Sequence, residues 1–177
     1  MNFTEYSPLA LRTAKPLPYA KQVTHAFLGL ITETGELADT VKRHVIYGQP
    51  LNKVNLMEEV GDVFWYLNLL AHELRGNLTA DAAAGLEDRP LEDLVLLLHK
   101  HNNMLLEVAD AYTGQLLQGA ARLLLQVLVH SDHTLPECLE ANIEKLAKRY
   151  PDKYTDHAAL NRDTLAELAV LEAVKSA

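Results

Sequence analysis

The chain of 177 residues is long enough for one substantial core, carries a formal net charge of −8 at pH 7 and contains a single cysteine, Cys138. One domain spanning residues 1–177 is expected, and the acidic balance argues against a nucleic-acid polymer as partner, because phosphate backbones are met by clustered Lys and Arg. A lone cysteine forms no intrachain disulfide, the start MNFTEYSPLALRTAKPLPYAK has no signal-peptide apolar region, and the apolar stretches near 94–98 and 123–129 fall far short of the ~20 residues that span a bilayer; a soluble, cytoplasmic protein without membrane contact is expected.

Abundant Leu, Ala and Glu, with little aromatic or β-branched alternation, predict an all-α fold without strands. Pro16 and Pro18 close an irregular N-terminal segment. Helical periodicity then runs over 19–46 and stops at Gly48; a second helix over 52–75 ends at Gly76 and Asn77. A polar piece containing Gly85 leads to Pro90, which suits the first turn of a third helix over 91–112, and Gly114 turns the chain into a fourth over 115–130. Ser131 to Thr134 supply a loop and N-cap for a fifth helix over 135–150, which Pro151 terminates, and the tail is helical from Arg162.

Two acidic motifs stand out: Glu33-Thr34-Gly35-Glu36 in the first helix and Glu59-Val60-Gly61-Asp62 in the second. Residues three apart share a helix face, so each pair aims two carboxylates at one point. On a helical wheel, Phe27, Leu30, Ile31, Thr34, Leu37, Ala38, Val41 and Val45 form the core stripe of the first helix, flanked by Glu33 and Glu36. Leu56, Val60, Val63, Phe64, Leu67, Leu70, Ala71 and Leu74 form that of the second, with Glu59 and Asp62 displaced toward one side. The competing reading is a pair of solvated acidic faces. Against it, Trp65, Tyr66 and Leu69 make the second helix apolar nearly all round, and carboxylates in such a place need a counter-charge. Antiparallel packing through Gly48 and Pro50 gathers the four acids, which predicts a Mg2+ site.

Lys42 and Arg43 lie toward the end of the first helix, and Lys145, Arg149 and Lys153 stand with Tyr150 and Tyr154 in NIEKLAKRYPDKY. Lys145 and Arg149, four apart, share a face with Asn142; from the residues alone these cations are better read as solvated charges that complement helix C-termini. Trp65 is expected to pack, and Tyr66 either packs or stacks on a base. None of the eight histidines follows a glutamate by three residues, so a di-iron bundle is disfavoured, and His99, His101, His130 and His133 fit no zinc spacing.

The middle of the chain faintly repeats the first helix pair. Aligning GELADTV with LLEVADAY sets Glu36 on Glu107, Asp39 on Asp110 and Glu33 on Met104, and aligning LMEEVGDVFWYL with LLQGAARLLLQV sets Leu56 on Leu116, Glu59 on Gly119 and Asp62 on Arg122. Such a second copy would be metal-free; the alternative is two ordinary Leu-rich core helices.

Three blocks in order, LGLITETGELADTVKRH, LMEEVGDVFWYLNLLA and ANIEKLAKRYPDKYTDHAALNRD, resemble the MazG-like nucleoside triphosphate pyrophosphohydrolases, in the compact form common in bacteria and phages. The resemblance covers about residues 25–76 and 135–163. It divides the chain into a metal-binding helix pair at 19–76, an inserted pair at 80–130 and a C-terminal phosphate-binding helix and tail at 135–163. It implies an all-α, Mg2+-dependent enzyme, with Mn2+ as a possible substitute, that cleaves a nucleoside triphosphate to monophosphate and pyrophosphate and clears unwanted nucleotides. Glu33, Glu36, Glu59 and Asp62 match the family's metal-binding catalytic acids. Lys42, Tyr66, Asn142, Lys145, Arg149, Tyr150 and Lys153 become the expected substrate contacts, and a homo-oligomer, most simply a dimer, is implied. The alternatives are a non-catalytic nucleotide-binding module and a hydrolase of a signalling nucleotide.

Overall fold

The structure of the protein, a computed structural model, describes residues 1–79, 89–107 and 113–174. Among the described residues every regular element is helical: α1 (Phe3–Leu11), α2 (Tyr19–Val45), α3 (Lys53–Glu73), α4 (Leu91–Glu107), α5 (Thr113–Val129), α6 (Leu135–Arg149), α7 (Asp156–Leu160) and α8 (Thr164–Glu172). The fold is therefore all-α, as composition predicts. Gly85, Asp110 and the last turn expected of the third helix, 108–112, lie outside the described residues.

The boundaries of α2, α3 and α6 follow from local chemistry. At the end of α2, Gly48 adopts φ +66°, its N–H bonds His44 O at 3.1 Å and the Gln49 N–H reaches back to Arg43 O at 3.2 Å. That paired arrangement satisfies carbonyls the helix leaves open, and it suits glycine because no Cβ opposes the left-handed backbone. Asn52 caps α3 by accepting from Asn55 N at 3.1 Å. Thr134 and Glu137 form a reciprocal capping box at the start of α6.

Three expectations fail. The N-terminal segment is not irregular: Asn2 and Glu5 form a capping box and α1 buries Phe3, Tyr6 and Ala10 against α3 and α6 despite Pro8 inside it. Burial of that stripe, including a Phe3–Phe64 edge contact at 5.2 Å, outweighs the backbone hydrogen bond that proline removes. Gly114, expected to turn the chain, sits within the first turn of α5. On α2, Ile31 and Val45 are exposed, and the buried line runs instead through Ala26, Leu30, Thr34, Leu37 and Val41. The short α7, capped by Thr155, was not foreseen either.

The helices α2, α3, α4 and α5 make a four-helix bundle in which α4 packs on α2 and α5 on α3. This pairing sets side by side the helices that the faint repeat aligns. Gly119, which aligns with Glu59, is a close-approach point: a Cβ there would lie 3.0 Å from the His101 ring. Of the remaining helices, α1, α6 and α8 pack on α3 as well. Packed on so many sides, α3 is buried from Leu56 to Ala71 on nearly every face, and Glu59 and Asp62 enter an apolar setting because they ride on it.

Candidate active site

A cleft of about 560 Å3 opens among α2, α3, α6 and the segments before α2 and after α6. Glu33 and Glu36 reach it from α2, and Glu58, Glu59 and Asp62 from α3. Carboxylate oxygens of Glu33, Glu59 and Asp62 all lie within 4.8 Å of one another, the one such group of potential metal ligands among the described residues. Glu36 lines the same cleft and a smaller neighbouring hollow, exposed and outside this trio. The two motifs thus bring three of the expected four acids together, with the fourth at the rim.

The electrostatics show unbalanced negative charge. Burial, then the charges of Asp62 and Glu36, push the Glu59 carboxyl up to about 8; burial and the same two neighbours push Glu33 up to about 7. Glu59 accepts one hydrogen bond, from Asn55 Nδ2 at 3.2 Å, which in turn donates to Thr40 Oγ1 at 2.7 Å. A divalent cation beside these two acids would hold both ionised.

Asp62 is supported from behind. Lys145 Nζ donates to its two oxygens at 2.7 and 2.5 Å and to Glu58 Oε1 at 3.3 Å, from a side chain only 1% exposed. Burial would draw the Lys145 pKa down, but Asp62 and Glu58 hold it above the usual lysine value. Asn142 Nδ2 donates to Asp62 Oδ1 at 2.8 Å, and Tyr6 OH donates to Asn142 Oδ1 at 2.8 Å. Gly61 permits this arrangement, since a Cβ there would meet the Asn142 side chain at 3.2 Å and hold α6 away.

Lys145 and Asn142 therefore have their polar groups engaged with the acidic cluster in this structure. Replacing Lys145 by Met should cost about 3–5 kcal/mol, because it strands a half-buried carboxylate. Urea unfolding with and without millimolar Mg2+ checks this: the deficit should shrink when a divalent cation offers Asp62 another counter-charge, and wild-type stability in the variant would contradict the pairing. Tyr6→Phe should cost about 1–3 kcal/mol by leaving the buried Asn142 carbonyl oxygen without its donor. A denaturant midpoint shift at constant slope is the readout.

The other end of the cleft is aromatic and basic. Trp65 packs, donating from Nε1 to Thr13 Oγ1 at 3.0 Å, and its ring meets Tyr66 edge-on at 4.8 Å. Tyr66 lines the cleft and crosses Gly29 so closely that a Cβ there would lie 2.1 Å from its ring. Burial, then Glu33 and Asp62, push the Tyr66 hydroxyl up to about 12. Tyr150 and Arg149 line the cleft as well. Lys42 does not: it pairs with Asp39, which also takes Arg43 Nε at 2.7 Å. Lys153 is exposed and outside the lining.

Four contributors escaped the sequence reading. Tyr6 was legible only through the Asn2/Glu5 capping box and the spacing of Phe3, Tyr6 and Ala10. Glu58 was overshadowed by Glu59 beside it, Arg162 lies in the third resembling block without being singled out there, and Glu167 had no motif to mark it.

A carboxylate trio on a helix pair, backed by a lysine and facing an aromatic cleft inside an all-α bundle, is a set of hard oxygen donors suited to a divalent cation. Residues 22–87, which hold both acidic motifs, match the family model of the MazG nucleotide pyrophosphohydrolase domain, and the chain is MazG-like over that stretch. Neither the curated proteins nor the solved structures gave a match to the chain. No helix among the described residues is long and apolar enough to cross a membrane.

Proposed function

We propose that the protein is a Mg2+-dependent nucleoside triphosphate pyrophosphohydrolase, with Mn2+ as a substitute ion, acting in nucleotide-pool clearance. The observation that carries this reading is the trio of Glu33, Glu59 and Asp62, all-oxygen donors within 4.8 Å, two of them with raised pKa values. Hard oxygen donors with uncompensated charge fit a hard divalent cation. When bound, such an ion neutralises phosphate charge and polarises the phosphorus.

The residues of the chain have separate tasks in this reading. Glu33, Glu59 and Asp62 would hold the ion, with Glu36 at the rim. Lys145 and Asn142 fix the orientation of Asp62. Water adds its oxygen to the α phosphorus, a cluster carboxylate accepts its proton, and the bond to the bridging oxygen breaks so that pyrophosphate leaves and monophosphate remains. Tyr66, Tyr150 and Arg149 receive the rest of the substrate in a cleft whose volume of about 560 Å3 suits a nucleotide. Lys42 and Lys153 receive no role.

The experiment is a panel of ribo- and deoxynucleoside triphosphates assayed for pyrophosphate with and without Mg2+. Release that depends on the ion supports the reading. Thermal stabilisation by nucleotide without turnover would replace it with a non-catalytic binding module. Exposed Leu28 and Ile31 on α2 fit the dimer that belongs to the same reading; a light-scattering mass equal to one chain at micromolar concentration would remove it.

A further inference from the structure

Beyond the acidic cluster, the cleft holds a second charged constellation that the carboxylate chemistry leaves unused. Glu167 of α8 is buried at 3% side-chain exposure and receives three hydrogen bonds from two arginines. Arg149 donates to it from Nε at 2.9 Å and from Nη2 at 2.6 Å, and Arg162 donates from Nη2 at 2.7 Å. Both arginines line the cleft.

The plain alternative is an ion pair that only fastens α8 to α6. Two features exceed that task. Glu167 and Leu171 are the buried residues of this nine-residue helix, so one of the two residues that α8 buries is a charge, a poor choice for anchoring alone. One carboxylate also faces two guanidinium groups, which leaves a net positive charge. Of the five N–H donors on each guanidinium, Glu167 occupies two on Arg149 and one on Arg162, fewer than either fork offers. The planar fork suits phosphate oxygens. The Tyr66 hydroxyl feels the charges of Glu33 and Asp62 and that of Arg149, so acids and guanidinium lie within electrostatic reach of one ring in one cleft.

We infer that Arg149 and Arg162, set side by side by Glu167, form a two-guanidinium site for the pyrophosphate portion of the substrate. The inference rests on the proposed function for the identity of the ligand and assigns Arg162 as a binding residue and Glu167 as a positioning residue. The acidic cluster would face the α phosphate where the bond is cut, and the guanidinium pair takes the two phosphates that depart. Glu167 lowers the total positive charge of the site while fixing its shape.

Calorimetric titration of inorganic pyrophosphate into the intact protein, with and without Mg2+, tests this, alongside a separate titration of Mg2+. Arg162→Gln should weaken pyrophosphate about tenfold and leave Mg2+ affinity unchanged. Because its side chain is 43% exposed, this variant is expected to melt like the wild type. Glu167→Gln should also weaken pyrophosphate, although it makes the site more positive; a site acting by charge alone would bind more tightly. Wild-type pyrophosphate affinity in Arg162→Gln, or tighter binding in Glu167→Gln, overturns the inference. A wild-type protein that binds Mg2+ but no pyrophosphate overturns it while sparing the metal reading, whereas absence of Mg2+ binding removes the proposed function, and the ion-free comparison of Arg162→Gln with wild type still decides the guanidinium site.

Discussion

Asp62→Asn is expected to lower kcat/KM for pyrophosphate release by about 10^2–10^4-fold at saturating Mg2+. Asp62 is both a member of the carboxylate trio and the principal counter-charge of Lys145. An amide keeps the shape, but it offers no negative charge and must direct either oxygen or NH2 at two donors, Lys145 Nζ and Asn142 Nδ2. The buried ammonium would retain only Glu58 at 3.3 Å. Stability should therefore fall together with activity, by about 3–5 kcal/mol. Glu59→Gln separates the two effects. It removes a carboxylate that the metal-free fold repels, and Gln can still accept from Asn55. Activity should drop by a similar factor while the melting temperature without metal rises at pH 8. Activity within tenfold of wild type in both variants would contradict the assigned centre.

The second large effect is a coupling of pH, metal and stability. Glu33 and Glu59 ionise at about 7 and about 8 in the fold, against an ordinary value of 4.5. Between those values the folded protein holds protons that the unfolded chain has released, so stability decreases as pH rises. The contribution is fully present below about pH 4.5 and is lost progressively until both carboxyls ionise near pH 8. Each carboxylate contributes a slope of at most about 1.4 kcal/mol per pH unit, reduced where solvent reaches Glu33. For a protein of this size each kcal/mol moves the midpoint about 2–4 °C. Melting temperature without metal should therefore decline by several degrees from pH 5 to pH 8. Mg2+ should restore it, most strongly at pH 8, because the ion competes with those protons. Differential scanning calorimetry across that range is the measurement; a flat profile, or Mg2+ stabilisation that grows toward acid pH, would oppose it.

The acidic motifs were legible because their meaning lies in helical spacing. Glu33, Glu59 and Asp62 converge as the three-residue period and the antiparallel pair require, and Gly48 ends α2 as its backbone freedom suggests. Glu36 obeys the same period yet stays at the rim, since the wheel fixes direction only to within the rotation of one helix on another. The same rotation exposes Ile31 and leaves Thr34 buried at the seam, bonded by Asn102 Nδ2 at 2.9 Å.

Tertiary partners decided the rest. Lys145 looks like any lysine near a helix end until α6 places it against Asp62. Arg149 looks like a C-terminal charge until α8 brings Glu167. The irregular reading of the N-terminus failed because the gain from α1 lies in burial of Phe3 and Tyr6, and a local pattern containing Pro8 does not carry that information.

The most direct test of the account is hydrolysis of a nucleoside triphosphate with Mg2+ in 18O-labelled water, with the products resolved by 31P NMR. The expected result is monophosphate and pyrophosphate, with the label on the monophosphate, because water adds to the α phosphorus beside the trio. Label in the pyrophosphate, formation of diphosphate and orthophosphate, or no turnover across the nucleotide panel would contradict it.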